Sequence, residues 1–143
     1  MKLTLTKDLT APRAAAVVQV NEFAEQVRLR FVTPGAAMQQ VYRQKVEEAT
    51  GVAADIDAGR TPDPAAYPIL SAEVGLTAPT LQQVSQIVLN LRDQWALVAA
   101  RIEAARYEAQ DAIAAATDPG IIATAVTAAK AQLDLLKPTG TPP

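Results

Sequence analysis

Residues 80–117 read TLQQVSQIVLNLRDQWALVAARIEAARYEAQDAIAAAT, and this stretch decides the fold. It opens on Thr80-Leu81-Gln82-Gln83, a capping-box pattern in which a hydroxyl takes up an N–H left free at the helix start. No proline or glycine follows until Pro119. Val84, Val88, Leu91, Trp95, Val98, Ile102, Ala105, Ala109, Ala112 and Ala116 step by four and three throughout. A sustained a/d heptad predicts a left-handed supercoiled seam. A helix from Thr80 to Thr117 would be on the order of 55 Å long. That exceeds what a compact chain of this size needs, so part of it is expected to project or to pack on another chain. Bulky residues fill the seam up to Ile102, and alanine fills it afterwards.

Both flanks supply helical partners. Downstream, Asp118-Pro119-Gly120 breaks the helix and starts another, in which Ile122, Val126, Ala129, Leu133 and Leu136 repeat the same spacing. This last helix is expected to fold back as an antiparallel hairpin over the alanine half. Upstream, Thr10 reads as an N-cap with Pro12 in the first turn. Ala16, Val20, Phe23, Val27 and Phe31 then line one face of a helix ending near Val32. Thr33-Pro34-Gly35 starts a second helix, with Thr33 as cap, through Met38, Val41, Tyr42, Val46 and Ala49. It ends at Gly51 or continues to Ile56. Glu25–Arg28 and Arg43–Glu47 are spaced for surface ion pairs.

From Gly59 to Thr80 the prolines Pro62, Pro64, Pro68 and Pro79 mark a connector longer than most helix–helix loops. Within it Pro68–Val74 reads as a short helix, with proline at N1 and Gly75 at C′, that lays Ile69 and Leu70 on the core. Residues 2–6 alternate Lys-Leu-Thr-Leu-Thr, which suits a strand or arm offering Leu3 and Leu5 to a partner sheet. The expected organisation is an N-terminal strand or arm over 1–9, a helical bundle over 10–137 and an extended proline-rich tail over 138–143. The fold class is all-α: a bundle with one long heptad helix, helical hairpins and a short N-terminal strand.

Composition narrows the function. Of 143 residues, half are apolar and only six aromatic, while alanine takes 30 positions. Alanine forms helix readily but buries little area, so such a core gains contact only when backbones approach closely. Thirteen basic residues interspersed with fifteen acidic ones, net −2, lack the clustered charge of a nucleic-acid surface. No stretch reaches the roughly 20 apolar residues of a membrane span, and residues 1–8 lack the apolar run of a secretory signal. With no His and no Cys, the commonest general base, thiol nucleophile and soft metal ligands are missing. Neither serine, Ser71 or Ser85, sits in a nucleophile elbow. Asp55–Asp63 is faintly like a calcium loop, but glycine falls at the fifth position and Ala66 stands where a bidentate Glu belongs. A solvated turn is expected there. Glu103 and Arg106 read as a surface pair, and Trp95, Tyr42 and Tyr67 as packing residues. The expectation is a non-enzymatic protein without cofactor or metal. Ala105, Ala109, Ala112 and Ala116, with Leu3 and Leu5, are the candidate partner interface.

Several pieces in order carry a resemblance. They are Arg30-Phe31-Val32-Thr33-Pro34-Gly35; Val41-Tyr42, Lys45 and Ala49; Tyr67-Pro68-Ile69-Leu70, Ala72 and Glu73; Gly75-Leu76-Thr77; and Ile102-Glu103 with Arg106 ahead of an alanine-rich helix. Together they resemble small, alanine-rich helical tail proteins of tailed bacteriophages, commonly encoded beside tail-fibre or baseplate genes. The resemblance spans residues 30–116. It implies a structural component of the baseplate or fibre-attachment region, made in the host cytoplasm and carried in the virion tail. Its partners would be other tail proteins, and a homotrimer is expected because phage fibres are usually trimeric. A fibre-assembly chaperone absent from the particle and a host-directed regulatory coiled coil are the alternatives.

Val98→Pro should break the 80–117 helix at a cost of about 3 kcal/mol or more. Circular dichroism would register lost helicity, and an unchanged spectrum would refute the continuous helix.

Overall fold

The computed structural model describes residues 7–138. Leu3 and Leu5, with the expected N-terminal strand, and residues 139–143 of the tail lie outside that range. Within it the chain is all-α: α1 (Thr10–Arg28), α2 (Ala36–Asp57), a 3₁₀ turn at Pro64–Ala66, α3 (Pro68–Glu73), α4 (Leu81–Ala115) and α5 (Pro119–Asp134). The β pairing among the described residues is a single isolated bridge, Val74 to Ala78. The chain divides into two compact units, one of residues 1–32 with 98–143 and the other of residues 33–97. The long helix therefore contributes residues 81–97 to one unit and 98–115 to the other.

In the first unit, Leu9, Ala16 and Val20 of the α1 end meet Ala109, Ile113 and Ala116 of α4 and Ile122, Val126 and Ala129 of α5. A second cluster joins Ala24 and Val27 to Ile102, Ala105 and Leu133, with Phe23, Phe31, Val98 and Leu136 partly buried around it. The order of these contacts makes α4 antiparallel to both α1 and α5. The back-folded α5 is as expected; of its five seam residues Ile122, Val126, Ala129 and Leu133 are buried, while Leu136 lies past the helix end and is partly buried. Alanines at the centre of each layer let three backbones converge, and Ile102, Ile113 and Leu133 fill the remaining volume.

Three features of this unit differ from the sequence reading, the first being that α1 ends at Arg28 and not near Val32. Thr10 is the first residue of α1 and not its cap. The Asp8 carboxylate accepts the Thr10 N–H at 3.0 Å, and that bond, with the Thr10 backbone as its largest cause, holds the Asp8 carboxyl below its ordinary range. The seam of α4 also leaves the heptad: Ala112 is exposed and Ile113 is buried. A straight helix drifts about 20° per heptad against a 3.5-residue repeat. The inward face therefore runs 102, 105, 109, 113, 116, and Ile102 to Ile113 is three turns of 3.67 residues.

In the second unit, α2 begins at Ala36 with Gly35 as N-cap, in place of Thr33. It runs through Gly51 to Asp57. Glycine inside a helix costs about 1 kcal/mol relative to alanine, and a packing contact explains its presence. A Cβ at position 51 would lie 2.7 Å from Cε1 of the Tyr67 ring. The helix ends in a Schellman motif: the Gly59 N–H reaches the Ile56 carbonyl at 2.9 Å and the Arg60 N–H reaches Asp55 at 2.8 Å, with Gly59 at φ +71°. The calcium-like stretch is thus the last turn of α2 with its C-cap, followed by the exposed turn the sequence reading placed there.

Short α3 is stabilised from a distance. The Glu48 carboxylate of α2 accepts the N–H groups of Ile69 at 3.3 Å and Leu70 at 2.9 Å, satisfying donors that a helix start leaves free. Leu70 is buried with Ala49, Val52, Val84 and Val88. The Ser85 hydroxyl, buried among them, donates to the Ala49 carbonyl at 2.9 Å and so ties α4 to α2. At the start of α4, Thr80 Oγ1 accepts the Gln83 N–H at 3.2 Å and pairs with the Gln83 side chain at 3.1 Å, so the threonine cap stands where the capping-box pattern puts it.

Gly51→Ala should destabilise the protein by about 1 kcal/mol, because overpacking costs of 1–3 kcal/mol outweigh the helix-propensity gain. In a Tyr67→Ala background the same change should become neutral or stabilising. Urea unfolding of the four proteins in this cycle measures the coupling.

Candidate partner interface

The four alanines singled out from the heptad do not form one surface. Ala105, Ala109 and Ala116 are buried against α1 and α5 of the same chain. They are core residues and have no area left to offer a second chain. Ala112 lies at the edge of that inward face and is exposed. The alanine half of the long helix did need a close neighbour, and α1 and α5 supply it.

Polar residues lock that packing at its edges. Arg28 of α1 pairs with Glu25 on its own helix at 3.1 Å and also with Glu103 of α4. Arg106 pairs with Glu103 at 2.6 Å and donates to the Asn21 side-chain oxygen at 2.9 Å. The expected Glu103–Arg106 surface pair is therefore the middle of a network crossing from α1 to α4. Burial works to raise the Glu103 carboxyl, but the two guanidinium groups overcome it and hold the carboxyl below its ordinary range. Two other arginines close helix ends. Arg13 donates to the Ala116 carbonyl at 2.8 Å, just past the end of α4. Arg30 pairs with the Asp134 carboxylate at 2.8 Å and reaches the Leu136 carbonyl at 3.3 Å, both at the end of α5. Cations at helix C-termini satisfy free carbonyls and oppose the macrodipole. Hydrogen bonding from Arg30, then its charge, lowers the Asp134 carboxyl.

The second unit brings together many of the residues that carry the phage-tail resemblance. Lys45 pairs with Glu73; Arg43 and Glu47, spaced for a pair, are not joined. The Tyr67 hydroxyl donates to Asp55 Oδ2 at 2.5 Å, while Arg60 holds Oδ1 at 2.7 Å. The Tyr67 bond and then Arg60 keep the Asp55 carboxyl below its ordinary range, and the same bond raises the Tyr67 phenol. Tyr42 is raised by burial, with Arg92 opposing. After α3, Gly75 at φ +85° occupies the third position of a type II turn closed by the Leu76 N–H on the Glu73 carbonyl at 3.0 Å. The Thr77 N–H reaches the same carbonyl, and the Gly75 N–H reaches Ala78 at 2.8 Å. This braced loop presents Leu76 to solvent at 86% exposure.

No three His, Cys, Asp or Glu side chains converge as a metal ion would require among the described residues. No helix there is long and apolar enough to cross a membrane. The chain matches no protein-family model, no curated protein and no solved structure. Surfaces that the heptad reading missed include apolar side chains left in solvent, among them Leu76 in the braced loop, Leu97 and Tyr107 on α4, and Ile121 and Leu135 of the α5 segment. Leu76 had a signal in the Gly75-Leu76-Thr77 turn. For the others only the direction of the helix face, fixed by packing, decides exposure.

Asp55, Glu103 and Asp134 carboxyls are all lowered on folding, so the stability they contribute is intact above the ordinary carboxylate range. It is lost as pH falls through that range towards their folded values. With no histidine, stability should be nearly flat between about pH 6 and 8. Urea midpoints measured from pH 7 to pH 3 should fall on the acid side, and Glu103→Gln should lower the neutral midpoint and make the acid decline shallower.

Proposed function

We propose that this chain is a non-enzymatic structural component of a bacteriophage tail, placed in the baseplate or fibre-attachment region and acting through protein–protein assembly. The observation that carries the reading is the ordered set of motifs between Arg30 and Arg106. Support comes from the role those residues have in this chain. Lys45 pairs with Glu73, Leu70 is buried beside Ala49, Tyr67 packs against Gly51, and Gly75 makes the Leu76 turn. A pattern whose members brace one another describes a scaffold, and the polar residues engaged in it hold helix ends and helix pairs together. In this reading the packed helices are a bundle whose outer faces and braced Leu76 loop meet other tail proteins, in the virion and, during assembly, in the host cytoplasm.

Quantitative mass spectrometry of purified particles tests the proposal. A fixed stoichiometry relative to the major tail proteins is expected. Absence from particles, with the chain recovered on fibre protein in the lysate, would overturn it in favour of an assembly chaperone.

A further inference from the structure

The connector between α2 and α4 is held down by carboxylates. Among the described residues, the Ile69 and Leu70 N–H groups donate to Glu48 of α2 at 3.3 and 2.9 Å. The Tyr67 hydroxyl and the Arg60 guanidinium donate to Asp55 of α2 at 2.5 and 2.7 Å, and Lys45 of α2 pairs with Glu73. Within the connector, Asp63 accepts the Ala65 N–H and Glu73 the Thr77 hydroxyl, both at 3.0 Å. An ionised acceptor makes hydrogen bonds about twice as strong as a neutral one, and the Lys45–Glu73 pair needs the charge outright. Acid therefore weakens these ties together. It leaves alone the bond beneath them, where the buried Ser85 hydroxyl donates to the Ala49 carbonyl at 2.9 Å and joins α4 to α2 without an ionisable group.

Apolar anchoring does not make up the difference. Helix α3 is six residues long and buries one side chain, Leu70, whereas α5 buries four. A helix that short does not persist unaided in water. From Leu81 to Leu91 α4 carries no charged residue, so the titration here is set by α2 and the connector. Their charged residues are Arg43, Lys45, Glu47, Glu48, Asp55 and Asp57 on α2, and Arg60, Asp63 and Glu73 on the connector. We propose that the connector is an acid-released strap: protonation of Glu48, Asp55 and Glu73 frees α3 and bares the apolar groove of Ala49, Val52, Val84 and Val88 beneath it. The other unit stays folded, because Ile102, Ile113 and Leu133 remain buried under its own ion pairs. At neutral pH the ties are intact and the connector opens only with its unit. The Tyr67 bond, then Arg60, holds the Asp55 carboxyl below its ordinary range. Its contribution is therefore present above that range and is lost last, as pH falls through the folded value. This proposal is independent of the phage-tail reading.

Hydrogen–deuterium exchange of the full chain, read by mass spectrometry and corrected for intrinsic rates, tests it across the carboxylate range. As pH falls from neutral to about 4, protection of the amides in residues 69–73 should drop by at least about tenfold more than that of α5. An apolar fluorescent dye should begin to bind over the same range while α5 stays protected. Glu48→Gln keeps the shape of the side chain without its charge. It should cost about tenfold in protection at 69–73 already at pH 7 and make the remaining pH dependence shallower. Glu47→Gln, one position away and exposed, should change neither. The wild-type profile decides by itself if the Glu48 variant folds poorly. Loss of protection at 69–73 in step with α5, protection there that ignores pH, or a folded Glu48→Gln protein that matches wild type throughout would overturn the proposal.

Discussion

Close approach of helix backbones is the constraint on which the first unit depends. Ala16, Ala24, Ala105, Ala109, Ala116 and Ala129 are all buried, and each offers one methyl group to the core. Dispersion contacts of so small a side chain amount to little unless the facing backbone lies directly against it. At the ends of α4 and α5 the last carbonyls have no partner within their own helix. Arg13 and Arg30 answer this at the α4 and α5 termini, reaching from α1 and the turn that follows it. Small residues at the centre and long cationic ones at the ends are two halves of one solution.

The second unit solves a different problem. Its middle segment is rich in proline and cannot form a long helix, yet it must cover the α2–α4 core. One turn of helix at α3 does so by inserting Leu70. A six-residue helix is too short to hold itself together in water. Glu48 supplies the missing acceptors from α2, and Tyr67 wedges the entry against Gly51. Here the stabilising residues lie some twenty positions upstream of what they stabilise.

Element type and order were legible in the chain because they follow from local rules. Proline and glycine punctuation marked the breaks, and the four-three spacing marked the helices, so α3, α4 and α5 fall where the sequence puts them. Thr80 was recognisable as a cap from its neighbours alone. What escaped depends on tertiary geometry. Whether α2 stops at Gly51 or continues past it is decided only by the Tyr67 ring that packs on the glycine. Ala112 fitted the heptad, but the helix face precesses and Ile113 takes the inward place; the eleven-residue spacing from Ile102 was the available clue. Alanines on a seam could equally serve an internal or an external neighbour, and composition has no means of choosing. The Glu48 cap and the Arg28–Glu103–Arg106 network join residues far apart in sequence, so no local pattern announces them.

The dependence of α3 on Glu48 reaches into how the chain would survive among proteases. Exposed loop segments rich in small polar residues are ordinarily the first to be nicked by proteases. Residues 59–80 have that composition, but they are tied to α2 by the Tyr67 hydroxyl on Asp55 and the Leu70 N–H on Glu48, and to the core through the Leu70 side chain. Drawing the segment out means opening that whole unit together, so its susceptibility follows the unit's cooperative opening and not local fraying. A connector that reads as a linker is, in kinetic terms, part of the domain it crosses.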